Sequence, residues 1–295
     1  MKILVFGSLN IDLIYSVDHI VNPGETISSQ SLKRSAGGKG ANQAAALGKA
    51  GLSVYMAGKI GNDGLFLTAL LQSYGVNTDN VAVYEGATGQ AIIQLDKKSQ
   101  NAIVLYPGGN SAITVEEVEM VLARFDAGDA LVLQNEIPHI REIMEGAKRR
   151  GLSIYFNPSP FDQKIKELPL DLVDVFFVNE IEGAAMASPV GDGCEAPAVI
   201  LERLVAAYPK SEIILTTGKE GAYYGYKTER AKGDVIDVPV VDTTGAGDTF
   251  TGYFIAARYR SYSLTDALNI ACKAASIAVS RRGAMESMPF AKEVF

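Results

Sequence analysis

Short apolar runs alternate along the chain with stretches whose apolar residues recur every three to four positions. Residues 2–6 form one such run, closed by Gly7, in the pattern of a strand buried on both faces. Ala41, Ala44, Ala45 and Gly48 then fall at helical spacing, which predicts a helix from about residue 40 whose small face packs closely on a sheet. Leu67, Leu70, Leu71 and Tyr74 repeat that spacing. Thr114 and Glu117 make a capping-box pattern ahead of a stripe of Val118, Val121, Leu122 and Phe125. Beyond it the pattern predicts strands at 130–134, 152–156, 173–178 and 212–217. Helices are predicted at 139–150, 180–187, 197–207, 248–260 and 264–280. This rhythm implies an α/β fold, with a mostly parallel sheet and helices on both faces.

Two segments break the rhythm. Residues 11–35 and 88–106 look like β segments with turns at Asn22-Pro23-Gly24 and Asp96-Lys97-Lys98, and no helix between. They read as pieces of a small separate sheet over one end of the main body. No linker divides the chain, so residues 1–295 are expected to form one unit.

Composition narrows the function classes. A hydrophobic fraction of 47% and a mean hydropathy of +0.11 suit a packed soluble enzyme. A net charge of −7 argues against nucleic acid or an anionic membrane as partner. An anionic substrate would then have to be held by backbone N–H groups, a helix end or a metal ion. Cys194 and Cys272 are far apart, and His19 and His139 are the only histidines, so neither a disulfide framework nor a zinc site is expected. A reducing cytoplasm is the natural setting. Asn10 and Asp12 interrupt the first apolar run too early for a signal peptide, and no run reaches transmembrane length.

The glycine-rich helix starts are therefore the places to look for chemistry. In Val240-Val241-Asp242-Thr243-Thr244-Gly245-Ala246-Gly247-Asp248, small residues let the backbone approach a ligand while the next helix aims N–H donors at it. Asp248 at that helix start can cap the helix or take a proton from an attacking hydroxyl, and the residues alone leave both open. Gly37-Gly38-Lys39-Gly40-Ala41-Asn42-Gln43-Ala44 is a second glycine-rich helix start, and it fits neither G-x-x-x-x-G-K-[ST] nor G-x-G-x-x-G. It reads as a flexible turn or as a ligand contact. Asn179 and Glu182, three apart at a strand-to-helix junction, can face one Mg²⁺ and its waters or simply form a capping pair. Asn10, Asp12 and Glu136 lie just past the carboxyl ends of expected parallel strands, where ligands gather in such sheets.

Taken together, and in this order along nearly the whole chain, these residues resemble the ribokinase-type carbohydrate kinase family. Residues 37–44 are similar to its N-terminal signature, Asp242–Asp248 to its C-terminal signature, and Asn179-x-x-Glu182 to its magnesium motif. Gly7-Ser8-Leu9-Asn10-Ile11-Asp12 and Pro23-Gly24-Glu25-Thr26 also match. The resemblance implies a three-layer α/β/α body with a β-sheet lid that often forms a dimer interface. It implies ATP-dependent phosphorylation of a sugar's primary hydroxyl, most directly ribose to ribose 5-phosphate. Another furanose, a nucleoside or a modified nucleoside is the alternative acceptor. It implies Asp248 as base, with Gly245, Ala246 and Gly247 forming an anion hole. Asn10, Asp12, Gly38, Lys39, Asn42 and Glu136 would hold the sugar. Asn179, Thr217, Gly218, Gly221, Gly247 and Cys272 would line the nucleotide. Asn179 and Glu182 would organise Mg²⁺ through water, while Asp242, Thr244, Ala278, Arg281, Gly283 and Ser287 match ligands of an activating K⁺.

Three residues depart from the family pattern. Glu220 puts an acid beside the expected triphosphate, Cys272 stands near the expected adenine, and Tyr253 is bulky for its place after Asp248. A non-catalytic ligand-binding regulator on the same scaffold is a third reading, opposed by Asp248 and its glycines. A dinucleotide-dependent oxidoreductase is set aside, because Gly7-Ser8-Leu9-Asn10 is not the glycine fingerprint.

Overall fold

The chain begins with β1 (Ile3–Phe6), β2 (Asn10–Ser16) and β3 (Ser31–Gly37), followed by α1 (Lys39–Lys49), β4 (Val54–Gly61) and α2 (Leu65–Ser73). Next come β5 (Val76–Tyr84), β6 (Gly89–Leu95), β7 (Asn101–Tyr106), α3 (Val115–Leu122), β8 (Ala130–Gln134) and α4 (Ile140–Arg149). Then follow β9 (Ser153–Asn157), β10 (Val175–Asn179), α5 (Glu180–Ala187), α6 (Pro197–Ala207) and β11 (Glu212–Thr216). The chain closes with β12 (Ala222–Tyr226), β13 (Glu229–Gly233), α7 (Ala246–Tyr259), α8 (Leu264–Val279) and α9 (Ala291–Val294). The structure, a computed structural model, describes residues 1–98, 100–187 and 195–295. Cys194 lies outside them.

Among the described residues, the main sheet runs β13-β12-β11-β10-β9-β8-β1-β4-β5, with all pairings parallel except those of β12 with β11 and β13 at one edge. Alternation along β1 sorts the core into two layers. Ile3 and Val5 join a cluster with α1, α2, α7 and α8, while Leu4 and Phe6 join one with α3, α4 and α6. This is the three-layer arrangement the sequence rhythm implied. Helix α1 can pack so tightly because its face is small: a Cβ on Gly40 would lie 2.6 Å from the Gly7 carbonyl carbon. One on Gly252 would lie 2.5 Å from the Ala46 Cβ, which is where α7 crosses α1.

A second sheet has the order β3-β2-β6-β7, with β2 and β6 parallel and the outer pairs antiparallel. Its strands come from the two segments that lacked a helical pattern. The cores of those segments pair with each other rather than with the main sheet, and residues 17–30 form a loop between β2 and β3. Among the described residues no helix is long and apolar enough to cross a membrane.

Candidate active site

Parallel strands bring their carboxyl ends to one edge, and polar residues end several of them: Gln134 on β8, Asn157 on β9, Asn179 on β10 and Thr216 on β11. Helix α1 begins against the same edge. Gly38 precedes it with φ of 92°, a left-handed value that glycine adopts freely, and a Cβ there would lie 2.8 Å from the Ser8 carbonyl oxygen. The Ser8 hydroxyl donates to Glu136 Oε2, and the Lys39 N–H donates to the same oxygen at 3.0 Å. Glu136 thus satisfies an orphan amide at the helix start, where a carboxylate also complements the dipole.

Asp248 does not cap α7. The N-cap is Gly245, with φ of 74°, and Asp248 stands three residues further on. Its carboxylate is buried and accepts from two α1 side chains: Asn42 Nδ2 to Oδ2 at 3.0 Å, and Gln43 Nε2 to Oδ1 at 2.9 Å. The first-turn amides of α7 have no acceptor within the helix. Ala246 N–H is taken by the Thr243 carbonyl at 3.2 Å. Gly247 and Asp248 line a cleft of about 230 Å³, with Lys39, Asn179 and Glu182 on its walls.

Asn179 and Glu182 bond reciprocally: the Asn179 N–H donates to Glu182 Oε2 at 3.1 Å and the Glu182 N–H to Asn179 Oδ1 at 2.9 Å. The capping pair therefore forms, with both residues still on the cleft wall. Thr217, Gly218 and Gly221 build a self-contained turn in which Thr217 N–H and Oγ donate to the Gly221 carbonyl at 2.9 and 3.0 Å. Glu220 is exposed in that turn. Cys272 is buried in the α7–α8 core, and its thiol is pushed up to about 11 by burial and then by Asp234, against Lys232. Tyr253 is accommodated wholly inside, its hydroxyl donating to the Pro289 carbonyl at 2.6 Å.

Two distant segments meet beside the start of α7. Asp242 Oδ1 accepts from Thr244 N–H at 3.0 Å and Oγ at 2.7 Å, while Oδ2 accepts from Gly283 N–H at 3.0 Å. Burial opposes ionisation of Asp242, but these hydrogen bonds and Lys33 outweigh it and hold its pKa below the ordinary value. Arg281 N–H bonds the Ala278 carbonyl at 3.0 Å while its guanidinium pairs with Glu293, and the Ser287 hydroxyl donates to the Ala284 carbonyl at 2.8 Å.

On the second sheet, Asn10 Oδ1 accepts from Asn110 Nδ2 at 2.7 Å, and Asn110 Oδ1 accepts from Leu9 N–H at 3.0 Å. Asn110 so fixes the amide of Asn10 with its NH₂ free to donate. The Asp12 carboxylate occupies the space a Gly37 side chain would need, its oxygens 2.3 Å from that Cβ position. Burial, then Glu136 and Glu286, push Asp12 up to about 7.

Asn110, Gln43, Gln134 and Asn157 belong to this neighbourhood and were not singled out from the sequence. The strand-end argument that found Glu136 also reaches Gln134, at the strand end the pattern predicted, and Asn157 once β9 is extended by one residue. Nothing local marks Asn110, which lies 100 residues from Asn10.

A three-layer α/β body with a carboxylate beside free helix-start amides is built for group transfer to or from an anion. The model of the pfkB family carbohydrate kinases matches residues 1–291, and the chain belongs to that family of ATP-dependent kinases. It is 34% identical to the ribokinase of Haemophilus influenzae, over 98% of this chain and 95% of that one. The solved ribokinase of Thermotoga maritima superposes with a TM-score of 0.88 at 32% identity, covering 100% of this chain and 98% of that one. The ribokinase of Arabidopsis thaliana solved with ribose and ATP gives 0.87 at 30% identity, covering 99% and 97%.

Proposed function

We propose that the chain transfers the γ-phosphoryl group of ATP to the primary hydroxyl of ribose, giving ribose 5-phosphate. One observation carries the reading: a buried Asp248 carboxylate, held by Asn42 and Gln43, stands beside unpaired α7 amides in a cleft shared with Asn179 and Glu182. Asp248 takes the hydroxyl proton as the sugar oxygen attacks the γ-phosphorus in line. The bond to the β–γ bridging oxygen breaks and ADP leaves. Such reactions depend on positioning and charge stabilisation, which the amides from Gly245 to Asp248 supply. Because the Ala246 amide is engaged, those of Gly247 and Asp248 carry the larger share.

Asn10, Asp12, Gly38, Lys39, Asn42 and Glu136 bind the sugar. Asn42 supports this, since its Oδ1 is buried without a partner and suits a sugar hydroxyl donor. Asn179, Thr217, Gly218, Gly221 and Gly247 line the nucleotide, with Cys272 behind its base. The hard oxygens of Asn179 and Glu182 suit Mg²⁺ held through water, which would neutralise phosphate charge. The carboxylate, hydroxyl and carbonyl oxygens of Asp242, Thr244, Ala278, Arg281, Gly283 and Ser287 suit K⁺, which would steady the loop beside the anion hole. The second sheet closes over the sugar and excludes water, and its outer face pairs with a second copy. A cytoplasmic setting fits the need for ATP.

An ATP-coupled assay over ribose, deoxyribose, other furanoses and nucleosides, in K⁺ and in Na⁺, tests the reading. Ribose should give the highest kcat/KM, with K⁺ raising it. Asp248→Asn should fold and lose about 10²–10⁴-fold in kcat. Turnover of a nucleoside but not ribose overturns the substrate, and parental turnover by Asp248→Asn overturns the base.

A further inference from the structure

The structure assigns Gln43 and Gln134 a joint role as a buried amide relay that orients Asp248, an inference that rests on Asp248 being the base. A carboxylate only accepts, so Gln43 must present its NH₂ to Asp248 Oδ1, and it does so at 2.9 Å. That leaves Gln43 Oε1 facing away, where Gln134 Nε2 donates to it at 2.6 Å. Gln134 in turn is left with its own Oε1 buried and without a partner. That oxygen rests against Gly7, where a Cβ would lie 2.1 Å away, so only glycine just after β1 leaves room for this rotamer. Both glutamines are fully buried, and Gln43 Nε2 also reaches Asn157 Oδ1 at 3.4 Å.

The direction of the relay follows from one end. The carboxylate dictates the sense of Gln43, which dictates the sense of Gln134. The same sense of Gln43 is favoured from the sheet side, where Gln134 donates to its oxygen and Asn157, fixed by its own donation to the Phe177 carbonyl at 2.8 Å, offers Oδ1 to its nitrogen. Gln43 and Gln134 are therefore positioning residues. Neither lines the cleft with Asp248, and Gln134 acts on Asp248 only through Gln43.

Methionine, close in size and without a donor, removes each link. With ribose and ATP, Gln43→Met should lower kcat about 30–100-fold, as expected when a reacting group is slightly misplaced. The KM values for both substrates should stay within about twofold of the parent, because uniform binding is untouched. Gln134→Met should lower kcat by less, in the same way. The double variant should be no worse than Gln43→Met, since Gln134 has nothing left to act through. A double variant whose losses multiply shows two independent packing effects and overturns the relay, as does a folded Gln43→Met with parental kcat. If Gln43→Met does not fold, Gln134→Met decides alone: lowered kcat at parental KM supports the relay, and parental kcat overturns it. Asp248→Asn measured alongside separates the two ideas, because parental activity there removes the base itself.

Discussion

At the scale of single residues, Asp12 has the most unusual environment in the site. Burial first, then the charges of Glu136 and Glu286, push its carboxyl from 3.8 to about 7. A carboxyl raised in this way binds its proton more tightly in the folded chain than in the unfolded one. Its contribution to stability is thus complete below about pH 4 and is lost as pH rises through 7. Above that, an ionised Asp12 is a standing cost. Asp12→Asn should therefore leave the melting temperature of the ligand-free protein near the parent's at about pH 4 and increasingly above it as pH rises towards 8. A difference in melting temperature that stays the same across this range would contradict the raised carboxyl. The sequence pointed to Asp12, Asn10 and Glu136 because each follows a strand end. It was silent on Asn110, Gln43 and Gln134 as partners, because buried amides have meaning only through the groups that face them.

At the scale of elements, the apolar runs at 130–134 and 212–217 and the helical stripes were legible because each satisfies its own period. β4, β5, β12 and β13 were not. β4 carries Gly58, Lys59 and Gly61, and Lys59 is buried there with its ammonium on Glu117 and the Ala112 carbonyl. β5 contains Asn77, Asp79 and Asn80. Pairing with β1 through β4 makes these residues strands, and that pairing is long-range. β9 and β10 also end one residue later than their apolar runs, at Asn157 and Asn179, because the ladder continues past the apolar stretch. Helix α1 shows the opposite case, a legible element with an unforeseen duty. Its buried Lys49 donates to the carbonyls of Met285 at 2.7 Å and Met288 at 2.9 Å, over the rings of Tyr74 and Phe290. Burial lowers its pKa to about 8, against the pull of Glu286 and Glu293 and with Arg281 assisting, so the ammonium persists at neutral pH. Lys49→Met would strand two carbonyls, and the expected loss is about 2–3 kcal/mol in urea unfolding. Amide exchange should speed up across residues 284–290 before it does elsewhere. Uniform acceleration would mean that Lys49 does not pin that segment.

At the scale of the molecule, the second sheet is two-sided, and its two faces carry different residues. The register puts Asn10 and Asp12 on the same face as Ile103 and Leu105. Leu32, Ile92, Val104 and Tyr106 lie on the other, with Leu32 54% exposed, Val104 63% and Tyr106 49%. Ile11 and Ala36 tie one end of that face to the main core, but exposed apolar side chains beside the open edge strand β7 invite pairing with another chain unless something covers them. A second copy related by a two-fold axis would cover that face without leaving a further patch open, since the same surface would be used on both sides. It would also brace the sheet proposed to close over the sugar, so assembly and catalysis would be linked. Val104→Asp places a charge on the edge strand β7 of that face, away from the side bearing Asn10 and Asp12. Sedimentation should give a dimer for the parent, and for Val104→Asp a species near the 31.4 kDa of one chain. With its sheet unbraced, the variant should need more sugar for half-maximal rate while its helical circular dichroism is retained. A parent that sediments as a single chain at micromolar concentration would leave the exposed face to another partner and remove the link between assembly and closure.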